Sequence, residues 1–341
     1  MPLSPDSAAR LLGDARRLNE ERAYPSLAEL LKPHAVADLE VEPELLFLRA
    51  DVARRLGHAD GAHRDLGALE GAIRRYGNVL LHRRRLNLLG SLQFEGGRID
   101  DARDTWLRQL DDASAAGDAE FAARACNNLG VVATLRDELP EALASYSRAV
   151  SSYRQVGYAR GLGQAHHNLG ITYREMGFLN ESDREFRTAD RLARSADSDD
   201  EVARVAQERA LLLFLLGDAA LARLLARSAL TIYETLEDPV GVAEVRRVEG
   251  LVALGEGDRA TAAERFDAAL TAARELGARL LEGEVLAARA ALHALQDRFD
   301  DAADDSGAAS GIFESLGAPA WGRRTLDRAR SIAARGSDLR A

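Results

Sequence analysis

A step of 40 residues runs through most of this 341-residue chain and constrains its fold more than any other feature. Asn127–Gly130 reads NNLG and His167–Gly170 reads HNLG. Stepping both ways from Gly130 lands on Ala50, Gly90, Gly170, Ala210, Gly250 and Ala290, all small. Twelve residues further on in each unit stand Ala62, Ala102, Ala142, Ser182, Ala222, Ala262 and Ala302, small again. Between the two small positions come Gly57, Gly97, Asp137, Gly177, Gly217, Gly257 and Asp297. Glycine, and less readily Asp, accepts the left-handed conformation that closes a helix. A second set, Gly77, Gly117, Gly157, Asp197, Glu237, Gly277 and Gly317, stands where a second helix would end. The intervening residues are dominated by Ala, Leu, Arg and Glu, without alternating β-branched runs, so each unit reads as two antiparallel helices. Units of this length cannot bury an apolar face alone and must stack on their neighbours.

Larger side chains follow the second small position by four residues in most units: Leu66, Trp106, Tyr146, Phe186 and Phe266. They are expected to fill the groove between one hairpin and the next, while the small residues allow close helix crossing. Residues 43–322 hold seven such units. Residues 1–42 read as a degenerate capping hairpin, with a helix to about Glu21 and another over Tyr24–Leu31. Residues 323–341 read as a C-terminal capping helix and tail. Trp321, Thr325, Ala329, Ile332 and Ala333 form an apolar stripe there, with Arg323, Arg324, Arg328, Arg330 and Arg335 on the other face. Those arginines are expected to solvate the end of the stack, some paired with Asp297, Asp300, Asp301, Asp304 or Asp305.

Leu129-Gly130, Ala142, Tyr146 and Ala149, with Leu169-Gly170, Tyr173, Gly177, Phe186 and Ala189, resemble the tetratricopeptide-repeat (TPR) pattern. The usual TPR period is 34 residues. At 40 the chain is similar to the longer subclass of Pins-type adaptors and of bacterial MalT- and Rap-type regulators. The resemblance implies an all-α, right-handed TPR superhelix, an α-solenoid of antiparallel helix pairs. It also implies that first helices line a concave face where partners bind, and that an Asn before the Leu-Gly pair, here Asn128 and Asn168, contacts a peptide backbone.

Helical spacing independently puts positions two, five and six of each first helix on one side. They are Arg84, Asn87 and Leu88; Arg124, Asn127 and Asn128; Gln164, His167 and Asn168; Arg204, Gln207 and Glu208. Outside this middle, Glu44, Glu244 and Glu284 take the second position. Amides donate and accept together, which suits gripping a peptide or helix, and arginine adds carboxylate recognition. The candidate partner-binding residues are therefore Arg84, Asn87, Arg124, Asn127, Asn128, Gln164, His167, Asn168, Arg204 and Gln207. The expected partner is a protein or peptide with acidic residues.

Other chemistry finds little footing. A net charge of −10 argues against direct nucleic-acid binding, and Arg83-Arg84-Arg85 is too short a basic run to reverse that. No apolar stretch approaches the roughly 20 residues of a membrane span, and no secretory pattern opens the chain. The expected location is cytoplasmic. One cysteine, Cys126, excludes an internal disulfide. Cys126 and His166 share a unit position, but nothing signals the orienting group a nucleophile needs. Adjacent His166 and His167 diverge around the helix and cannot share a metal. Asp197–Glu201 lacks the glycine and terminal Glu of a calcium loop and reads as helix-start carboxylates. No cofactor, metal or catalytic residue is expected. The leading reading is a non-enzymatic interaction scaffold; the alternative is a regulatory or sensor TPR module working with a separate transcriptional or signalling partner. A Rap-like phosphatase activity ranks behind both, because it would need a separate N-terminal bundle.

Overall fold

The computed structural model describes residues 3–338, with side chains as far as Arg335; residues 339–341 of the expected tail lie outside the described residues. All regular structure among the described residues is helical. Two compact units, residues 1–125 and 126–341, are taken in turn.

The first unit opens with α1 (Pro5–Glu20), α2 (Tyr24–Leu31) and the single turn α3 (Val36–Leu39). The pairs α4 (Pro43–Arg55) with α5 (Ala59–Tyr76) and α6 (Val79–Glu95) with α7 (Ile99–Ala115) follow. Its core is leucine-rich: Leu27, Leu31, Leu39, Leu45, Leu46, Leu66 and Leu69 are all but inaccessible. Asn78 caps α6 through the amide of Leu81 at 2.9 Å. Arg83 and Arg85 do not form a basic surface. Arg83 bonds Asp112 and Asp118, each at 2.7 Å, and Arg85 bonds Glu70 at 2.7 Å and the Leu66 carbonyl at 2.8 Å.

The helix α8 (Ala119–Leu135) ends in the second unit, where the step of 40 is strict. First helices begin at Ala159, Asp199, Pro239, Arg279 and Pro319, and second helices at Leu139, Leu179, Ala219, Arg259 and Phe299. They are α9 (Leu139–Val156), α10 (Ala159–Glu175), α11 (Leu179–Ser195), α12 (Asp199–Leu215), α13 (Ala219–Thr235), α14 (Pro239–Gly255), α15 (Arg259–Glu275), α16 (Arg279–Leu295), α17 (Phe299–Ser315) and α18 (Pro319–Asp338). Every helix end read from the sequence as left-handed has positive φ, including the non-glycines Asp137 (69°), Asp197 (47°), Glu237 (53°) and Asp297 (57°).

The small positions are close crossings. A Cβ on Gly130 would sit 2.5 Å from the Tyr146 ring, on Gly170 2.7 Å from Phe186, and on Gly250 2.5 Å from Phe266. In the first unit Gly90 stands in the same relation to Trp106, at 2.3 Å. The large residue therefore lies over the small position of its own hairpin. It also packs toward the next hairpin, as expected: Tyr146 shares a core cluster with Leu169 of α10, and Phe186 with Val205 and Leu212 of α12. At the second small position of the α10–α11 pair, the Ser182 hydroxyl donates to the Gly170 carbonyl at 2.7 Å, which ties the crossing with a bond.

The last helix docks by the expected apolar stripe, but its arginines find other partners than expected. α18 begins in register as a further first helix, yet packs on α14 as well as on α16 and α17. Trp321, Thr325, Leu326, Ala329, Ile332 and Ala333 are buried. Arg324 and Arg328 turn to the far end of the unit rather than to the Asp297–Asp305 group, while Arg330 pairs with Asp327 on its own helix. Arg324 pairs with Asp137 and donates to the Thr134 carbonyl at 2.8 Å, and Arg328 pairs with Glu175. Arg335 reaches the Leu215 carbonyl at 3.3 Å.

Candidate functional site

In the first unit, Arg84 of α6 donates to Glu44 of α4 at 3.0 Å and stacks over Phe47, 4.2 Å from its ring centre. Arg16 of α1 meets the same carboxylate at 2.5 Å. Burial alone would raise the Glu44 carboxyl, but the two guanidiniums hold it below its ordinary value. Arg124 pairs with Glu120 one turn earlier at 2.7 Å, and Asn87 is half-buried on α6. These three candidates belong to their own unit.

In the second unit the candidates form bonds from one first helix to the next. Asn168 Nδ2 donates to Asn127 Oδ1 at 3.1 Å. Gln164 Nε2 donates to Glu201 at 2.7 Å, and Gln207 Nε2 donates to Glu244 at 2.9 Å. Gln207 at position five meets Glu244 at position two of the next helix, and Gln164 at position two meets Glu201 three residues before that position, so each amide meets a glutamate 37 residues on. Arg247 meets Glu284 at 3.2 Å by the same step, and Trp321 of α18 donates to that Glu284 at 3.0 Å. Tyr233 adds its hydroxyl to Gln207 at 3.3 Å. Arg204 is exposed and lies 3.5 Å from Glu201, and Asn128 is half-buried.

Charge beneath this ladder is tightly matched. Arg174, with 4% of its side chain exposed, bonds Glu208 at 2.6 Å and Glu175 at 3.2 Å. Burial would raise the Glu208 carboxyl, but Arg174 brings it down to about 2. Glu175 is likewise held low against burial by Arg328, Arg174 and Arg324. His167 is buried edge-on to Phe186, and burial with nearby Arg204 lowers its pKa to about 4, so it is neutral near pH 7. Glu244 moves the other way. Burial, reinforced by Glu284 and Glu208, outweighs the Gln207 bond and raises it to about 7.

The carboxylates Glu175, Glu201, Glu208, Glu244 and Glu284 were not among the sequence candidates, although the recurrence of Glu at position two was a visible signal for Glu244 and Glu284. The other residues singled out have structural settings. His166 Nδ1 lies 2.5 Å from Glu185, and Cys126 is buried, which pushes its thiol pKa up. Asp199, Asp200 and Glu201 occupy the first turn of α12. Among the described residues, no group of three or more His, Cys, Asp or Glu is placed to hold a metal ion, and no helix is long and apolar enough to cross a membrane.

The fold is that of TPR-type helical-repeat proteins. It is similar to a Rap protein complexed with Competence and Sporulation Factor: TM-score 0.65 at 14% identity, over 97% of this chain and 99% of that one. The Rap conjugation gene regulator of plasmid pLS20, in complex with the Phr* peptide, matches with TM-score 0.58 at 15% identity, over 92% and 97% of the chains. The apo quorum sensor NprR from B. thuringiensis gives 0.56 at 15%, over 95% and 97%. No protein-family description and no curated protein sequence matches the chain.

Proposed function

We propose that this chain is a non-enzymatic regulator or scaffold that binds a peptide or helix of a partner on the face made by its first helices. The single observation that carries the reading is the amide ladder of the second unit. Asn127 and Asn168, Gln164 and Glu201, and Gln207 and Glu244 bond from one first helix to the next and set a row of amides along that face. The binding set in that unit is Asn127, Asn128, Gln164, His167, Asn168, Arg204 and Gln207; Arg84, Asn87 and Arg124 form a patch on the first. Structures of similar fold are described with bound peptides, which supports the reading. Another is described as aspartyl phosphate phosphatase F from Bacillus subtilis. Against such an activity here, His167 is buried and neutral and Gln164 is committed to Glu201. The proposed location is cytoplasmic.

The test is binding of the full chain to an array of short linear peptides, with hits measured by fluorescence anisotropy. Asn128→Ala/Asn168→Ala and Gln164→Ala should each weaken the hits tenfold or more. Binding unchanged by both would overturn the assignment of this face. A sensor role has one further support, since related folds are described as a quorum sensor and a gene regulator. Compaction in solution scattering on adding a peptide hit would favour it over a rigid scaffold.

A further inference from the structure

We propose that α18 is a resident ligand of the second unit's first-helix face, and that this face exchanges it for an arginine-bearing amphipathic helix supplied by a partner. The proposal rests on the peptide-binding reading above and names the ligand class.

Three observations support it. The first is position: α18 starts in the register of a stacked helix but leans off its slot toward α14, leaving a gap of about 270 Å³ lined by Ala287, Ala290, Ala294, Ala302, Ser306 and Leu326. The second is the kind of bond that holds it. Arg324 and Arg328 reach Asp137 and Glu175, more than 150 residues back, and the Trp321 indole meets Glu284 on the same carboxylate row that serves the ladder. Both guanidiniums border a second gap of about 250 Å³ between Arg174, Glu175, Leu215 and Asp327, so the ionic contacts are reachable from solvent.

The third is charge. Glu175 has 4% of its side chain exposed, and its cations are Arg174, Arg324 and Arg328. Arg174 is shared with Glu208. If α18 left and a neutral or acidic peptide took its place, two buried carboxylates would be left with one guanidinium between them, a costly arrangement. An incoming helix must therefore bring its own cations at the spacing of Arg324 and Arg328, one helical turn apart, with an aromatic donor one turn earlier at the place of Trp321. The ligand is a basic amphipathic helix rather than an acidic extended peptide.

The probe is a labelled synthetic peptide of residues 319–338 added to the full chain. In wild type the resident helix excludes it. Arg324→Glu/Arg328→Glu in the chain loosens the resident helix, and the peptide's affinity should rise at least tenfold, with faster hydrogen exchange along α18. A peptide carrying the same two reversals should bind neither chain, and Glu175→Gln added to the loosened chain should cancel the gain. Equal affinity for wild-type and loosened chains, or equal binding of the reversed peptide, would overturn the proposal. Should circular dichroism show the double variant unfolded, Arg328→Gln is read against the same two outcomes. If ladder variants abolish array hits while the loosened chain ignores this peptide, the binding face stands and the resident-helix inference falls. If the loosened chain binds it while ladder variants change nothing, the reverse holds.

Discussion

Replacing Gly170 by alanine adds one methyl group where α10 crosses α11. The new Cβ would lie 2.7 Å from Cδ1 and Cε1 of Phe186, about 1 Å inside ordinary carbon contact. The ring is fully buried, and the Ser182 bond to the Gly170 carbonyl pins the backbones on the other side, so neither partner can move cheaply. Overpacking of this kind costs about 1–3 kcal/mol. Alanine returns about 1 kcal/mol through better helix propensity. The net expectation is about 1–2 kcal/mol of destabilisation, seen as a lower urea midpoint. Gly311 supplies the internal control. It also lies within a helix, has open space where a Cβ would go, and should gain about 1 kcal/mol as alanine. Phe186→Leu combined with Gly170→Ala should recover part of the loss, because the two changes share one contact. If Gly170→Ala and Gly311→Ala moved stability in the same direction, the close-crossing account of the 40-residue register would be refuted.

Two further outcomes follow from the second unit. The folded chain holds a proton on Glu244 that the unfolded chain releases near pH 4.5, so this group's stability contribution is greatest below that pH and is lost as pH rises through about 7. The loss is at most about 3 kcal/mol, and Glu244→Gln should flatten the stability profile between pH 5 and 8; an unchanged slope would count against the burial argument. Glu237 sits at φ 53°, so Glu237→Gly should stabilise by about 0.5 kcal/mol in urea unfolding, whereas Asp137→Gly at an equivalent turn should not, because it also removes the partner of Arg324.

What the sequence revealed, it revealed through local repetition. The turn residues with positive φ were legible to the position, down to Glu237, because a helix end needs a particular backbone conformation and few side chains accept it. The crossings at Gly130, Gly170 and Gly250 were legible because only small residues allow them. Tyr146 and Phe186 were legible as fillers between neighbouring hairpins, but not as rings lying over Gly130 and Gly170 of their own, since spacing along one helix does not say how many neighbours a ring covers. The candidate site was legible as a row of amides, but not as a set of bonds. That Gln164 and Gln207 face Glu201 and Glu244 is a matter of helix-to-helix height that a one-dimensional pattern lacks. The path of α18 left no periodic trace at all, because Arg324 and Asp137 meet once, across 187 residues.

That single long closure gives the second unit something its repeats lack. A stack of identical 40-residue steps has no inherent length; one pair more or fewer would leave each internal junction unchanged. The bonds from α18 to the ends of α8, α10 and α12 act as a ruler laid across the stack. Removing or adding a pair between α12 and α18 would keep every local rule of the sequence and still carry Arg324 and Arg328 past their carboxylates. Evolution can therefore vary these hairpins outside their crossing and turn positions one by one, but it can change their number only by rewriting the last helix as well.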